Sequence, residues 1–516
     1  MIIAASGNNI NIQRGTKRGG NKMAKAKKML MMTFCLIMVA SLVLAGCGNK
    51  KDEAAGTAGD KKDEKPVELI WYTIGTPQKD VDKVMEKVSE YTKEKIGATI
   101  KMKMFDWGDY NQKMQVIAAS GEPFDIAFTS SWAFDYVQNA KKGAFYELDE
   151  LLDKYGQDIK KNVHPSFLEG AKIEGKTYAI PVNKELPAQK VFRFNKKYVD
   201  KYNIDINSIK TLDDLEPVLA KVKAGEPGLY PVSADKQFKF GVPYDLVNEN
   251  LPIGVALTDT NDLKLVNVLE QPDMMKSFET MHEYYKKGYV KKDAATAQNG
   301  DEMKTGKWFV DMPDTQPFAD NQWSQTLGYP VVSTPYTEPY VYNWSVMGSM
   351  HGISANSKYP EKAMEFLNLL NSDKYLRNLV NNGIEDVHYK RIDDSTVEYL
   401  PAKTEGYDMP AFTLGNFFIL DKLPSDPKDK WEQFAKFNDS AKNAPLLGFH
   451  FNADSVKTEI TALTNVKEEF YASLYTGSVD PKVYVPKAVE KFKQAGLDKV
   501  MAEMQKQLDE WKASKK

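Results

Sequence analysis

Val67-Glu68-Leu69-Ile70-Trp71-Tyr72 reads as a strand broken at Gly75 and Pro77, and the two elements after it decide the fold. Val81, Val84, Val88, Tyr91 and Ile96 recur near the helical period until Gly97, and Thr99 to Phe105 then alternates with Ile100, Met102 and Met104 on one face. Strand, helix, strand is the βαβ unit, whose two strands lie parallel. The pattern repeats at once: Asp109 to Ala119 is helical, Gly121 and Pro123 turn the chain, and Phe124 to Thr129 is an apolar run of buried-strand type. A parallel sheet with helices on its faces, an α/β fold, is expected to open the folded body.

Downstream, Tyr178 to Val182 is an extended run in which Pro181 excludes helix interior. Val191 to Asn195 reads as a strand, Leu212 to Val222 as a helix capped by Thr211, and Met274 to Lys287 as a helix ended by Gly288. The C-terminal part carries two apolar stripes at helical spacing. Val456, Ile460, Leu463, Val466, Phe470 and Leu474 form one; after Gly496, Leu497, Met501, Met504, Leu508 and Trp511 form the other. Two or three packed helices are expected there, with Trp511 closing their core.

Upstream, Gly48 to Lys65 holds Lys, Asp, Glu, Ala and Gly without one large apolar residue, so it cannot bury enough to fold. As a tether of these residues it would span roughly 25 Å. Before it, Met29 to Leu44 is apolar except for Thr33 and Ser41, comes after Lys25, Lys27 and Lys28, and ends in small residues, which is the pattern of a secretory signal. The polar stretch ahead of Met23 is foreign to such a signal, and Met23 is the expected start. Leu44-Ala45-Gly46-Cys47 resembles the bacterial lipobox, which implies that residues 1–46 are removed and that Cys47 becomes a lipidated N-terminus ahead of a 47–65 linker.

The 69 basic and 71 acidic residues balance to a formal charge of −2, which leaves no basic surplus for nucleic acid. Of the two cysteines, Cys35 lies in the signal and Cys47 is the expected lipid site, so no disulfide is expected in the mature body. The five histidines, His164, His282, His351, His388 and His450, are far apart without a metal-site spacing, and no Gly-x-Ser-x-Gly elbow occurs. No metal or cofactor is expected. The chain does carry 8 Trp, 26 Tyr and 24 Phe. Aromatic planes suit the apolar faces of sugar rings, and open α/β sheets bind ligands beyond the carboxyl ends of their strands. That rule selects Tyr72 and Thr76 after the first strand, Asp106 and Trp107 after the second, and Ser131, Trp132 and Asp135 after the third.

The order of these parts, with the turn Ala-Ser-Gly-Glu-Pro-Phe-Asp-Ile at Ala119 to Ile126, the segment Gly175-Lys176-Thr177-Tyr178-Ala179-Ile180-Pro181, and Gly352-Ile353-Ser354 before a helix at Pro360 to Leu370, resembles family 1 extracellular solute-binding proteins, the binding components of ABC sugar importers. The resemblance implies the two-lobed, type II periplasmic-binding-protein-like fold, with a ligand cleft between lobes joined by three crossover strands. Lobe one would be 66–180 and 332–385; lobe two would be 181–331 and 386–516, including a helical C-terminal extension. Gly383 to Tyr389, Gly415-Asn416, Leu447 to Phe451 and Gly477 to Pro481 look like the large Gram-positive lipoprotein subfamily that ends in an uncharacterised domain. This chain departs from it with Asp386 in place of Gly and Asn452 in place of Asp.

Pro181-Val182-Asn183-Lys184-Glu185 resembles the crossover of maltodextrin-binding relatives, which implies that Glu185 accepts sugar hydroxyls. Gly306-Lys307-Trp308 resembles their Gly-x-Trp, which implies Trp308 as a stacking floor on lobe two and Trp132 as its counterpart on lobe one. Packing of Trp308 beneath Phe309 and Met312 is the competing reading. The resulting expectation is a non-enzymatic monomer that binds an oligosaccharide and hands it to ABC transporter permease subunits, touching the membrane only through its lipid. A peptide-binding version and a carbohydrate-degrading lipoprotein are the alternatives.

Overall fold

A computed structural model describes residues 65–298 and 303–515. The expected signal, Cys47 and all but the last residue of the linker lie outside the described residues.

The opening strand runs Val67–Ile74 and pairs in parallel with Ala98–Phe105, in register from Val67↔Ala98 to Ile74↔Phe105. The helix between them is Val81–Ile96, ended by Gly97 at φ 68. Ile126–Thr129 pairs in parallel on the other side of the first strand, as the repeated pattern predicts. Two strands complete the sheet from far along the chain: Met350–Ile353 lies antiparallel to both Ile126–Thr129 and Ala179–Pro181. Trp71 and Phe128 are buried in the core over this sheet, and Trp71 meets Phe366 of the Pro360–Ser372 helix edge to face at 5.5 Å.

The second lobe is built on short antiparallel strands. Val191–Asn195 is flanked by Val310–Asp311 and Val331–Pro335, and a separate sheet joins Tyr244–Leu246, Ile253–Ala256 and Val266–Asn267. Its core takes in the C-terminal helices Lys457–Tyr475, Pro481–Gln494 and Leu497–Ser514 through Leu463, Leu474, Phe492 and Leu508. Trp511 packs partly buried against this core, 5.7 Å from Phe449, as expected. Gly477, at φ 71, marks where the extension docks. A Cβ there would stand 2.1 Å from the Met281 carbonyl, and the Gly477 carbonyl lies 2.8 Å from Nδ1 of His282.

The hydrophobic cores divide the chain differently from the expected bounds. Tyr407, Met409 and Leu414 belong to the first core, so the chain after Glu385 returns to lobe one and does not pass directly into lobe two. Val331–Pro335 belongs to lobe two, because its backbone pairs residue by residue with Val191–Asn195. Tyr178 to Val182 is likewise no crossover, since Ala179–Pro181 is still hydrogen bonded within the first sheet. The crossings lie just beyond these points and adjoin one another: Ala188 bridges Tyr340, and Tyr340–Val341 pairs in parallel with Lys442–Asn443. Gly383 to Asp386 is a turn in lobe one, and Asp386 there adopts φ 62, a conformation that glycine takes without strain and that Asp tolerates.

Candidate functional site

Between the lobes lies a cleft of about 440 Å³ whose walls come from both lobes and from the first crossover. On lobe one, Ser131 and Trp132 come directly after the Ile126–Thr129 strand, at the carboxyl end where an α/β sheet leaves room for ligand. The loop is braced within itself. Ser130 Oγ accepts from the amides of Trp132 and Ala133, Thr129 Oγ1 donates to the Phe134 carbonyl at 2.5 Å, and the Phe134 amide donates to Asn111 Oδ1. The Trp132 indole is 50 % exposed, yet its Nε1 donates to the Gly348 carbonyl at 2.8 Å. A large apolar face is thus held open in a fixed orientation. Trp107 stacks beside it at 6.3 Å and 24°, and Phe412 stacks on Trp107 at 6.0 Å and 22°, extending an exposed aromatic wall.

On lobe two the corresponding plane is Trp323, from the Ala319–Leu327 helix. The Arg193 guanidinium lies behind it, 4.6 Å from its ring centroid, and is fixed by two bonds to Asp311 at 2.9 and 2.5 Å. Trp308 stands one layer further back. It is 2 % exposed, its Nε1 donates to the Met303 carbonyl and to the Tyr329 hydroxyl, and its ring centroid lies 5.6 Å from the same Arg193 guanidinium. Trp308 is therefore a foundation of the lobe and not the expected stacking floor.

The polar groups sit between these planes. Lys184 Nζ contacts Glu185 Oε1 at 2.6 Å, both side chains line the cleft, and Gln316 Nε2 donates to Gln322 Oε1 at 3.0 Å on the facing wall. The Lys184–Glu185 segment owes its position to buried asparagines. Asn438 accepts the Leu186 amide and donates to the Lys184 carbonyl, both at 2.9 Å, while Asn183 donates to Asn416 Oδ1 and to the Asn162 carbonyl. With ammonium, carboxylate and carboxamide groups between aromatic planes, the cleft matches a ligand that alternates apolar faces with hydroxyl rims. Among the described residues no cluster of His, Cys, Asp or Glu could hold a metal ion.

Of the residues selected from the sequence, Ser131, Trp132 and Glu185 line the cleft, and Trp107 adjoins Trp132. The others do not meet there. Tyr72 is 1 % exposed because the strand runs on to Ile74, which places it inside the sheet with its hydroxyl bonded to Lys103 and Glu122. Thr76 is exposed in the turn beyond Gly75, its carbonyl accepting from the Gln78 side chain. Asp135 caps the Tyr136–Lys141 helix, accepting the Gln138 amide, and burial pushes its carboxyl up. Sequence reasoning missed Trp323, Trp344 and Phe412. For Trp323 a signal existed: Ala-Asp-Asn-Gln-Trp-Ser-Gln-Thr-Leu has only Ala, Trp and Leu as apolar residues, too few for a core face, and in the structure only Ala319 is buried.

The profile of the bacterial extracellular solute-binding proteins matches residues 75–376. The chain belongs to this family. A second profile, a domain of unknown function, matches residues 445–513, which are the C-terminal helices. A carbohydrate ABC transporter substrate-binding protein of Streptococcus pneumoniae is 34% identical over 506 residues, covering 96% of this chain and 100% of the relative. Lipoprotein LipO of Bacillus subtilis is 22% identical, covering 91% and 96%. Among solved structures, the N-glycan transport solute binding protein NgtS of Streptococcus pneumoniae superposes with a TM-score of 0.80 at 34% identity, over 87% of this chain and 100% of that one. Its complexes with Man1GlcNAc and Man5GlcNAc superpose at 0.68 and 0.66, over 86% and 87% of this chain and 99% of each complex chain. This family member is thus a two-lobed solute-binding protein of the extracellular class.

Proposed function

We propose that this protein captures an oligosaccharide between its lobes and delivers it, unaltered, to the permease of an ABC transporter. The observation that carries the reading is the pairing of Trp132 and Trp323 on opposite lobes, with Lys184, Glu185, Gln316 and Gln322 between them. Two indoles remove the apolar faces of sugar rings from water, while the polar side chains meet hydroxyls that would otherwise lose hydrogen bonds on burial. The S. pneumoniae relatives support a glycan as the ligand class, and the fall in TM-score from 0.80 to 0.68 and 0.66 supports a rearrangement of lobes around it. The lipobox-like Leu44-Ala45-Gly46-Cys47 and the likeness to LipO support attachment by lipid to the outer face of the membrane of a Gram-positive bacterium, where the protein is proposed to act as a monomer.

Calorimetric titration with Man5GlcNAc, alongside peptides of similar mass, tests the assignment. Saturable glycan binding without release of new reducing ends is the expected result. Binding of peptides alone, or glycan cleavage by the purified protein, would overturn it.

A further inference from the structure

Past the cleft, the second lobe contains a larger chamber of about 750 Å³. The two share Ala188, Asp314 and Trp344 in their walls, so they adjoin at the first crossover. Each falls in the range that encloses a compact ligand. At the shared wall Trp344 is exposed and stacks on Tyr342 at 5.6 Å and 13°, while Lys190 and Asp314 form an ion pair of 3.0 Å.

The far wall comes from the domain of unknown function. Tyr471 and Tyr475, on the Lys457–Tyr475 helix, line the chamber, with the Tyr475 ring fixed between Phe240 at 4.8 Å and Phe278 at 5.3 Å. Tyr475 is 6% exposed, yet its hydroxyl makes no hydrogen bond to any described residue, and neither does that of Tyr471. Neither hydroxyl oxygen is fully enclosed, so both are open to what enters the chamber. Lys239 also lines it, mostly buried and without an ion pair among the described residues. Elsewhere the lining mixes both signs, as in Lys276 with Asp213 at 3.1 Å, and adds the Tyr244 hydroxyl on Asp273. Interspersed charges beside aromatic rings suit a neutral polyol better than a multiply charged ligand.

We propose that the chamber is a second sugar site, holding a neutral arm of the glycan whose other end lies between Trp132 and Trp323, and that the C-terminal domain exists in part to wall it. This rests on the cleft binding an oligosaccharide. The consequence is selectivity for larger glycans, since a disaccharide seated in the cleft leaves the chamber unused.

Titrations of the full mature protein with Man1GlcNAc and Man5GlcNAc test this, using Tyr475→Phe, Lys239→Ala and the chamber-filling Ser277→Trp. The variants are expected to lose Man5GlcNAc affinity by about ten-fold, the loss typical of one hot-spot contact, while Man1GlcNAc affinity and the melting point of the free protein stay as in the wild type. Trp323→Ala should weaken both glycans. Man5GlcNAc affinity unchanged in all three variants, or an equal loss for both glycans, overturns the chamber and leaves the cleft standing. Failure of the wild type to bind either glycan overturns both.

Discussion

The guanidinium of Arg193 lies 4.6 Å from the ring centroid of Trp323, and the same cation stands 5.6 Å from the ring of Trp308. One buried arginine, locked to Asp311, thereby supports an indole facing the cleft and an indole facing the core. The two tryptophans should respond to truncation in opposite ways. Trp308→Ala is expected to lower apo stability by about 3 to 5 kcal/mol, the range for a core tryptophan. Trp323→Ala should cost about 2 kcal/mol or more of glycan affinity with little change in apo stability. Denaturant melts and calorimetry on the pair check this, and a Trp308→Ala protein as stable as the wild type would rule out the layered arrangement.

Asn438 holds the crossover from both sides, accepting from Leu186 and donating to Lys184. Replacing it with alanine leaves a buried amide and a part-buried carbonyl unpaired, at about 1 to 3 kcal/mol for the buried amide and less for the carbonyl. Asn438→Ala should therefore melt at lower temperature and also bind glycan more weakly, because Lys184 and Glu185 lose their fixed position. Weaker melting with full affinity would separate the brace from the site.

Closure should occur about the three adjoining crossings near Ala188, Tyr340 and Lys442. Ligand that touches both lobes favours the closed state by the contacts it makes only there. Small-angle scattering is expected to give a smaller radius of gyration at saturating Man5GlcNAc. An unchanged radius under saturation would place the ligand on one lobe.

Two buried groups give stability opposite pH dependences. Burial lowers His351, in the first sheet, to about 4, and raises Asp245, in the second lobe, to about 7, where the Leu446 amide bonds its carboxylate. His351 binds its proton more readily when unfolded, so its contribution is lost as pH falls from about 6.5 through about 4. Asp245 binds its proton more readily when folded, so its contribution is present in acid and lost as pH rises through about 7. Asp245→Asn removes the second effect and keeps an acceptor for Leu446. Urea melts between those pH values should show a steeper acid loss in the variant than in the wild type.

At the membrane, Cys47→Ala should abolish incorporation of radiolabelled palmitate while the secreted body still melts cooperatively. Diacylglycerol supplies the two chains that stable attachment requires. Unchanged labelling would place the lipid elsewhere or nowhere.

The sequence alone determined the local elements, because periodicity and turn residues act over a few positions. Val67 to Thr129 was legible as βαβ with a third strand, and the C-terminal stripes as helices, since each pattern of burial repeats with the geometry of its own element. Resemblance added the two lobes, and strand-end position found Trp132. What tertiary structure alone decided is where the chain changes lobe and which aromatics face the ligand. Val331–Pro335 has the same extended character in either lobe, and only its pairing with Val191–Asn195 assigns it. Trp308 leads into the apolar Phe309-Val310, whereas Trp323 sits on a polar helix. Which of them is covered depends on Arg193 and Tyr329, brought to Trp308 from other parts of the chain, together with the nearby Met303. Burial is a property of the neighbours that arrive, and the local pattern bears on it only where, as around Trp323, a segment is too polar to supply a core of its own.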